Sequence, residues 1–270
     1  MSEARERYAR ALAASACVDD TRVVRAFGTV LREDFVGPGP WLILGRDGYV
    51  PSAGAEPAIV YDDIVVALAP DKRINNGQPS LHARCLSAAR IRQGERVIHV
   101  GCGSGYYSAI LSELVGSSGT VAAWDVDPSL AESARLNLRS WPNASVSLRN
   151  GTLPPLPESD VIYVCAGCTQ PVRAWAEALS EGGRLLFPLT PGWEFGGMLM
   201  VTRESGTYRA RFICKCSFIP SVGGSRPTQE AALRDAFATR DMKRVSSIHF
   251  GSQPDNDAWF AGDDWWLSAS

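Results

Sequence analysis

The sequence lacks an excess of either charge: 27 Lys and Arg stand against 29 Asp and Glu, leaving a formal charge of -2. Such a balance offers no broad attraction to a polyanion, so nucleic acid is not an expected partner. No apolar run is long enough to span a bilayer. The start, Met1-Ser2-Glu3-Ala4-Arg5-Glu6-Arg7, lacks the basic-then-apolar order of a secretory leader. A cytoplasmic protein without a membrane partner is expected, with its seven cysteines mostly reduced. Repeats and low-complexity tracts are missing, and so is any Ser-His-Asp or metal-ligand constellation. Cys165-x-x-Cys168 and Cys214-x-Cys216 supply four thiols, but the second spacing is too short for a zinc knuckle and both pairs lie in strand-like surroundings. Buried structural cysteines are expected there, and no metal.

What is present is an ordinary globular composition, 45% hydrophobic and 21% charged over 270 residues, enough for one α/β core with terminal additions. The first third is irregular. Helices are predicted over 5–15 and 21–30, the second capped by Asp19 or Asp20, followed by a Gly/Pro-rich loop over 37–57 and a helix from Pro79 or Ser80 to Ile91. From Arg96 onward strands and helices alternate. Strands are predicted at 97–100, 120–124, 144–148, 160–165 and 184–187, with helices up to 115 and over 128–139 and 171–179. Such alternation calls for right-handed crossovers and a mostly parallel, twisted, Rossmann-like sheet with helices on both faces. Residues 197–202 and 208–218 read as an antiparallel edge, and the tail holds a helix at 228–238 and the aromatics Trp259, Phe260, Trp265 and Trp266. The expected organisation is a helical and loop segment 1–93 covering a substrate site, a Rossmann-like core 94–220, and an extension 221–270 packing on that core.

The feature that carries chemistry is Gly101-Cys102-Gly103-Ser104-Gly105, directly after the first strand of the series. Asp125 ends the next strand, roughly twenty residues on, where an acid can hydrogen-bond ribose hydroxyls. A dinucleotide turn wants G-x-G-x-x-G, and its third glycine would fall at Tyr106. Gly-x-Gly-x-Gly suits a cofactor without phosphates better. NAD is the runner-up, and a purely structural turn comes behind it.

These residues resemble class I S-adenosylmethionine-dependent methyltransferases, and within them the protein-L-isoaspartate O-methyltransferase family, over roughly Val23 to Gly224. The strand and turn at 97–105 are similar to the family's D-V-G-x-G-S-G, with His99 in the acidic place. Asn150-Gly151 is similar to an Asp-Gly near the adenine, residues 179–188 to L-x-x-G-G-R-L-x-x-P, and Arg32-Glu33-Asp34-Phe35-Val36 to R-E-x-F-V. Asn75-Asn76-Gly77-Gln78-Pro79-Ser80-Leu81-His82-Ala83 resembles the I-S-x-P-x-x-x-A stretch that lines the active site, with Gly77 in place of a serine that helps bind the reacting carboxylate. The resemblance implies S-adenosylmethionine as cofactor and methyl transfer to a carboxylate. Gly77 turns the expected acceptor from an isoaspartyl residue towards a small organic acid. Isoaspartyl repair, a non-catalytic cofactor-binding protein and an NAD-dependent oxidoreductase are the alternatives.

A carboxylate is already ionised at neutral pH, so its methylation depends on alignment more than on proton removal. The site needs donors for the acceptor oxygens. On the resemblance, Asn76, Gln78 and His82 are the expected catalytic residues, with Asn75, Gly77 and Ser80 binding substrate. The cofactor is expected on His99, Gly101, Cys102, Gly103, Ser104, Gly105, Tyr107, Asp125, Val126, Asn150 and Gly151. Plainer readings exist: Asn75 and Asn76 as a polar turn, Ser80 as a helix cap, His99 as a satisfied core histidine, Asp125 as a turn acid. Arg73, Arg173, Arg211 and Arg226 could each grip a second carboxylate, although most arginines are solvated surface. The tail aromatics either cap the pocket or pack the terminal segment down, packing being the commoner use.

Overall fold

The computed structural model describes residues 3–251 and 253–269. In chain order the elements begin with α1 (Glu3–Ala16), α2 (Thr21–Thr29), β1 (Leu42–Gly45), β2 (Gly48–Pro51), β3 (Ala67–Ala69), β4 (Ile74–Asn75) and α3 (Pro79–Ala89). There follow β5 (Arg96–Val100), α4 (Tyr106–Val115), β6 (Thr120–Asp125), α5 (Pro128–Asn137), β7 (Ala144–Leu148) and β8 (Ser159–Val164). The rest of the chain forms α6 (Arg173–Glu177), β9 (Leu179–Leu189), β10 (Gly196–Glu204), β11 (Thr207–Cys216), α7 (Pro227–Thr239), β12 (Ser247–Phe250), β13 (Ala258–Ala261) and β14 (Trp265–Ser268). The chain divides into two compact units, one of residues 1–95 with 102–149 and one of 96–101 with 150–270.

In the first unit local chemistry sets the helix starts. Asp20 caps α2 by accepting from the Arg22 amide, and Asp127 caps α5 by accepting from the Ser129 and Leu130 amides, with Pro128 at its first turn. Tyr8, Phe27, Phe35 and Tyr106 form a buried aromatic cluster of edge-on and tilted pairs that ties α1 and α2 to α4. Strands β6 and β7 run parallel, Val121 opposite Ala144 and Asp125 opposite Leu148. The stretch expected to be loop at 37–57 contains the hairpin β1–β2, closed where Gly45 meets Gly48 at φ 125°. Four-residue strands set among glycines and prolines are too short to show an alternation, which is why the pattern hid them.

In the second unit β5, β8 and β9 are parallel, and β10, β11, β12, β14 and β13 continue the sheet antiparallel in that order. Ser205 and Gly206, both at positive φ, turn the chain between β10 and β11. Residues 171–179 form a shorter helix than expected and β9 a longer strand. The tail adds α7, within a residue of the predicted 228–238 at each end, and three strands that period alone did not reveal, and Trp259, Phe260, Trp265, Trp266 and Leu267 are all buried in those strands. The tail aromatics therefore pack the sheet's end, the plainer of the two expected uses. Among the described residues, no helix is long and apolar enough to cross a membrane.

Candidate functional site

The glycine turn is built by backbone geometry no side chain tolerates well: Gly101, Gly103 and Gly105 all have positive φ. A Cβ at Gly105 would stand 3.2 Å from Leu138, and the φ of 95° there favours glycine at the start of α4. Most of the turn's amides are already engaged. Cys102 N–H donates to the Trp124 carbonyl (3.1 Å), Gly105 N–H to the Cys102 carbonyl (2.9 Å), and Gly103 N–H to Asp125 Oδ2 (2.8 Å). Asp125 Oδ1 accepts from the Asp127 amide (2.9 Å). The carboxylate thus clamps the turn to the tip of β6 while retaining lone pairs for hydroxyl donors. Burial raises its pKa, and the two amides pull the other way. Ser104 is buried, and its hydroxyl has no hydrogen-bond partner among the described residues. An orphaned hydroxyl beside a glycine cradle, together with an acid able to accept from ribose, is a set of polar groups that fits a nucleoside-bearing cofactor. Val126 is exposed next to it.

The segment from β3 to α3 belongs to the same unit and lies against this turn. Lys72 Nζ bridges to Asp127 Oδ2 at 2.5 Å, and a Cβ on Gly103 would stand 3.4 Å from Leu68 Cδ1. Asn75 Oδ1 accepts from the Gly77 amide, which sets Gly77 at φ 73°. A Cβ on Gly77 would collide with His82 Nε2, so the imidazole occupies the space a side chain at 77 would need. His82 is buried and stacks on Tyr107, ring centroids 3.6 Å apart at 13°. Asp63 anchors the rest: it accepts from Gln78 Nε2 (2.8 Å), Ser80 Oγ (2.6 Å) and the Ser80 amide (2.8 Å). Ser80 and Gln78 are thereby held in a helix-start arrangement, and Tyr107 serves as a platform for His82.

Arg32, quoted above only as part of a motif, is the residue the sequence reading missed. It is 0% exposed, and its guanidinium donates to the carbonyls of Val60, Asp62 and Ile64 and, through Nε, to Asn76 Oδ1 at 3.3 Å. Asp63 sits between two of those gripped carbonyls. No pattern in the sequence points to it; only the density of polar residues over 62–63 hints that the loop is organised. By contrast Arg173 and Arg226 make exposed ion pairs with Glu177 and Asp263.

The remaining expected residues lie in the second unit. His99 is fully buried, stacked near Tyr163, with Nε2 3.3 Å from Cys165 Sγ; burial pushes its pKa down to about 3, so it is neutral. Asn150 Oδ1 accepts from the amide and hydroxyl of Thr152, and Gly151, whose Cβ would strike Val100, accepts at its carbonyl from Trp175 Nε1 (2.7 Å). Cys168 is buried and its thiol pushed up to about 12 by burial, as suits a structural cysteine.

A profile of the protein-L-isoaspartate(D-aspartate) O-methyltransferase family matches residues 42–226. A protein-L-isoaspartate O-methyltransferase of Aeropyrum pernix is 31% identical over 227 residues, 82% of this chain and 80% of that protein. One of Brucella anthropi is 28% identical over 211 residues, 76% of this chain and 88% of that one. A solved protein-L-isoaspartate O-methyltransferase superposes with a TM-score of 0.69 at 24% identity, over 82% of this chain and 66% of that one. A Plasmodium falciparum structure described as a beta-aspartate methyltransferase, in complex with S-adenosyl-L-homocysteine, gives a TM-score of 0.66 at 17% identity, over 81% and 98%. At these identities the likeness to the solved structures speaks for the fold, the α/β arrangement of class I methyltransferases.

Proposed function

The chain belongs to the protein-L-isoaspartate O-methyltransferase family, and from that premise we propose that it esterifies the free carboxylate of an isoaspartyl residue in a peptide. It is an S-adenosylmethionine-dependent O-methyltransferase. When bound, the cofactor supplies an electrophilic methyl carbon on a sulfonium. Asp125 accepts from the ribose hydroxyls while it clamps Gly103, and the Ser104 hydroxyl donates to the cofactor's polar end. Asn76, with His82 behind Gly77, orients the acceptor oxygens, and Gln78, fixed by Asp63, lines the entrance. Because a carboxylate arrives ionised, holding it in line is the main requirement, and no general base is assigned. In this reading residues 1–93 supply the acceptor side, 94–220 the cofactor side, and 221–270 pack the core, in a cytoplasmic protein.

The observation that carries the proposal is the seating of the 67–78 segment on the cofactor turn, through Leu68 beside Gly103 and Lys72 on Asp127. The case for a small organic acid rested on the glycine at 77. His82 Nε2 fills the space beside that glycine, so a polar atom still stands there, and the family's relatives carry the isoaspartyl name. The test is incubation with labelled S-adenosylmethionine and a peptide containing one isoaspartyl residue, its aspartyl isomer, and a panel of small acids. A base-labile methyl ester on the isoaspartyl peptide alone is expected. Preference for the small acids would reinstate that reading, and alkali-stable N- or S-methyl products would overturn carboxyl transfer.

A further inference from the structure

Arg32 is a buried cation with no buried anion to meet it. Its hydrogen bonds all run to neutral oxygens, the carbonyls of Val60, Asp62 and Ile64 and the amide of Asn76, and no carboxylate is paired with it among the described residues. Tyr8 and Tyr106 pack beside the guanidinium, and burial keeps both phenols neutral by raising their pKa values. A guanidinium does not give up its proton, so the charge stays, and an uncompensated buried charge is costly. Its four hydrogen bonds offset part of that cost. The field they leave reaches two polar groups, the Tyr8 hydroxyl, hydrogen-bonded to Tyr106, and the Asn76 amide, its outlet towards the 75–82 segment.

A guanidinium only donates, so the Asn76 amide must turn its oxygen to Arg32 and its NH2 group away from it. Asn76 is 6% exposed, and its amide nitrogen has no hydrogen-bond partner among the described residues. An NH2 group on a residue only 6% exposed, without a protein acceptor and polarised by a cation bound to its own carbonyl, is a donor prepared for an anion. Arg32 also fixes the other end of the same segment: by gripping the carbonyls of Asp62 and Ile64 it places Asp63, whose carboxylate holds Gln78 and Ser80.

We propose that Arg32 is a positioning residue that makes the acceptor site select a carboxylate over its neutral isosteres, acting through the orientation and polarisation of Asn76. This inference rests on the carboxyl-transfer reading above. An amide or alcohol in the acceptor position would meet the same NH2 group without gaining from the charge behind it.

The experiment measures calorimetric affinity of the full chain for S-adenosylhomocysteine, then binding to that complex, and KM and kcat, for an isoaspartyl peptide and for the peptide bearing the corresponding amide. It compares wild type with Asn76→Asp and Arg32→Lys. In N76D the new carboxylate pairs with Arg32 and removes the outlet. The expected result is a folded protein whose S-adenosylhomocysteine affinity stays within about twofold, whose acceptor KM rises about 100-fold, and whose preference for carboxylate over amide disappears. R32K keeps the charge and loses the fork, so KM should rise about tenfold with part of the preference retained. If either variant keeps both the wild-type KM and the wild-type preference, the inference is wrong. A matched loss of cofactor and acceptor affinity in both variants would reduce Arg32 to a scaffold residue and also overturn it. Wild-type protein that binds S-adenosylhomocysteine yet esterifies no carboxylate would instead sink the function proposal and this inference with it.

Discussion

The two units use their buried polar residues differently. In the unit of 1–95 and 102–149, Arg32, Asp63 and Asp125 each spend hydrogen bonds on backbone groups of loops, and among the described residues the Ser104 hydroxyl and the NH2 group of Asn76 are left without partners beside those loops. In the unit of 96–101 and 150–270, the buried polar residue at a strand end, His99, is neutral, and the tail buries tryptophans in edge strands. Ionic side chains that hold loops leave the Ser104 hydroxyl open beside the glycine turn; the unpartnered donors of the second unit, such as Trp265 Nε1, lie instead among the side chains that close the sheet. The first unit is therefore where substitutions should alter binding, and the second where they should alter stability.

The largest effect should come from the second unit. Trp259→Ala removes a 2% exposed side chain packed against Phe212 and Phe237, and should cost about 3–5 kcal/mol in denaturant unfolding. Calorimetry below the unfolding transition should find S-adenosylhomocysteine affinity unchanged; a parallel loss would break the division of labour. Next, Asp125→Ala frees the Gly103 and Asp127 amides and deletes the ribose acceptor. Cofactor affinity should fall about 100-fold, from charge-assisted hydrogen bonds of about 1.5–3 kcal/mol, with only a modest change in melting temperature.

Gly77→Ser should be third, at about 1–3 kcal/mol in stability from the collision with His82 and the left-handed backbone, together with impaired acceptor turnover. His82→Ala on top of it should recover part of both. Additive losses in the double variant would mean that the two residues do not share one space. The smallest effect concerns Asp160. Hydrogen bonding to the Arg96 guanidinium lowers its pKa from 3.8 to about 2. A lowered folded-state pKa contributes stability that is present above the unfolded value and lost as pH falls through the folded one, so the window runs from about pH 4 down to 2. The Arg96 side chain is about half exposed and Asp160 partly so, and solvent screening limits the effect to under about 1 kcal/mol. Asp160→Asn should flatten acid destabilisation in that window, as followed by circular dichroism.

The turn at 101–105 and Asp125 were legible because their signal is local: three glycines at fixed spacing after an apolar run, and an acid at the next strand end. The helix starts at Asp20 and Asp127 were legible for the same reason. Arg32 was not, because its partner Asn76 lies 44 residues away and its carbonyl acceptors 28 to 32, and carbonyls have no side-chain identity to read. His99 shows the opposite limit. Its place beside the turn suggested cofactor work, and what a strand-end side chain packs on is set by residues distant in sequence, here Tyr163 and Cys165. The tail strands stayed hidden because four-residue strands offer too few positions for an alternation to register.

The most direct test is a crystal structure with S-adenosylhomocysteine bound. The account requires the ribose hydroxyls on Asp125, the ligand's polar end at Ser104, and the sulfur facing Asn76. An adenosyl group held away from Asp125, or a sulfur pointing away from the 75–82 segment, would contradict it.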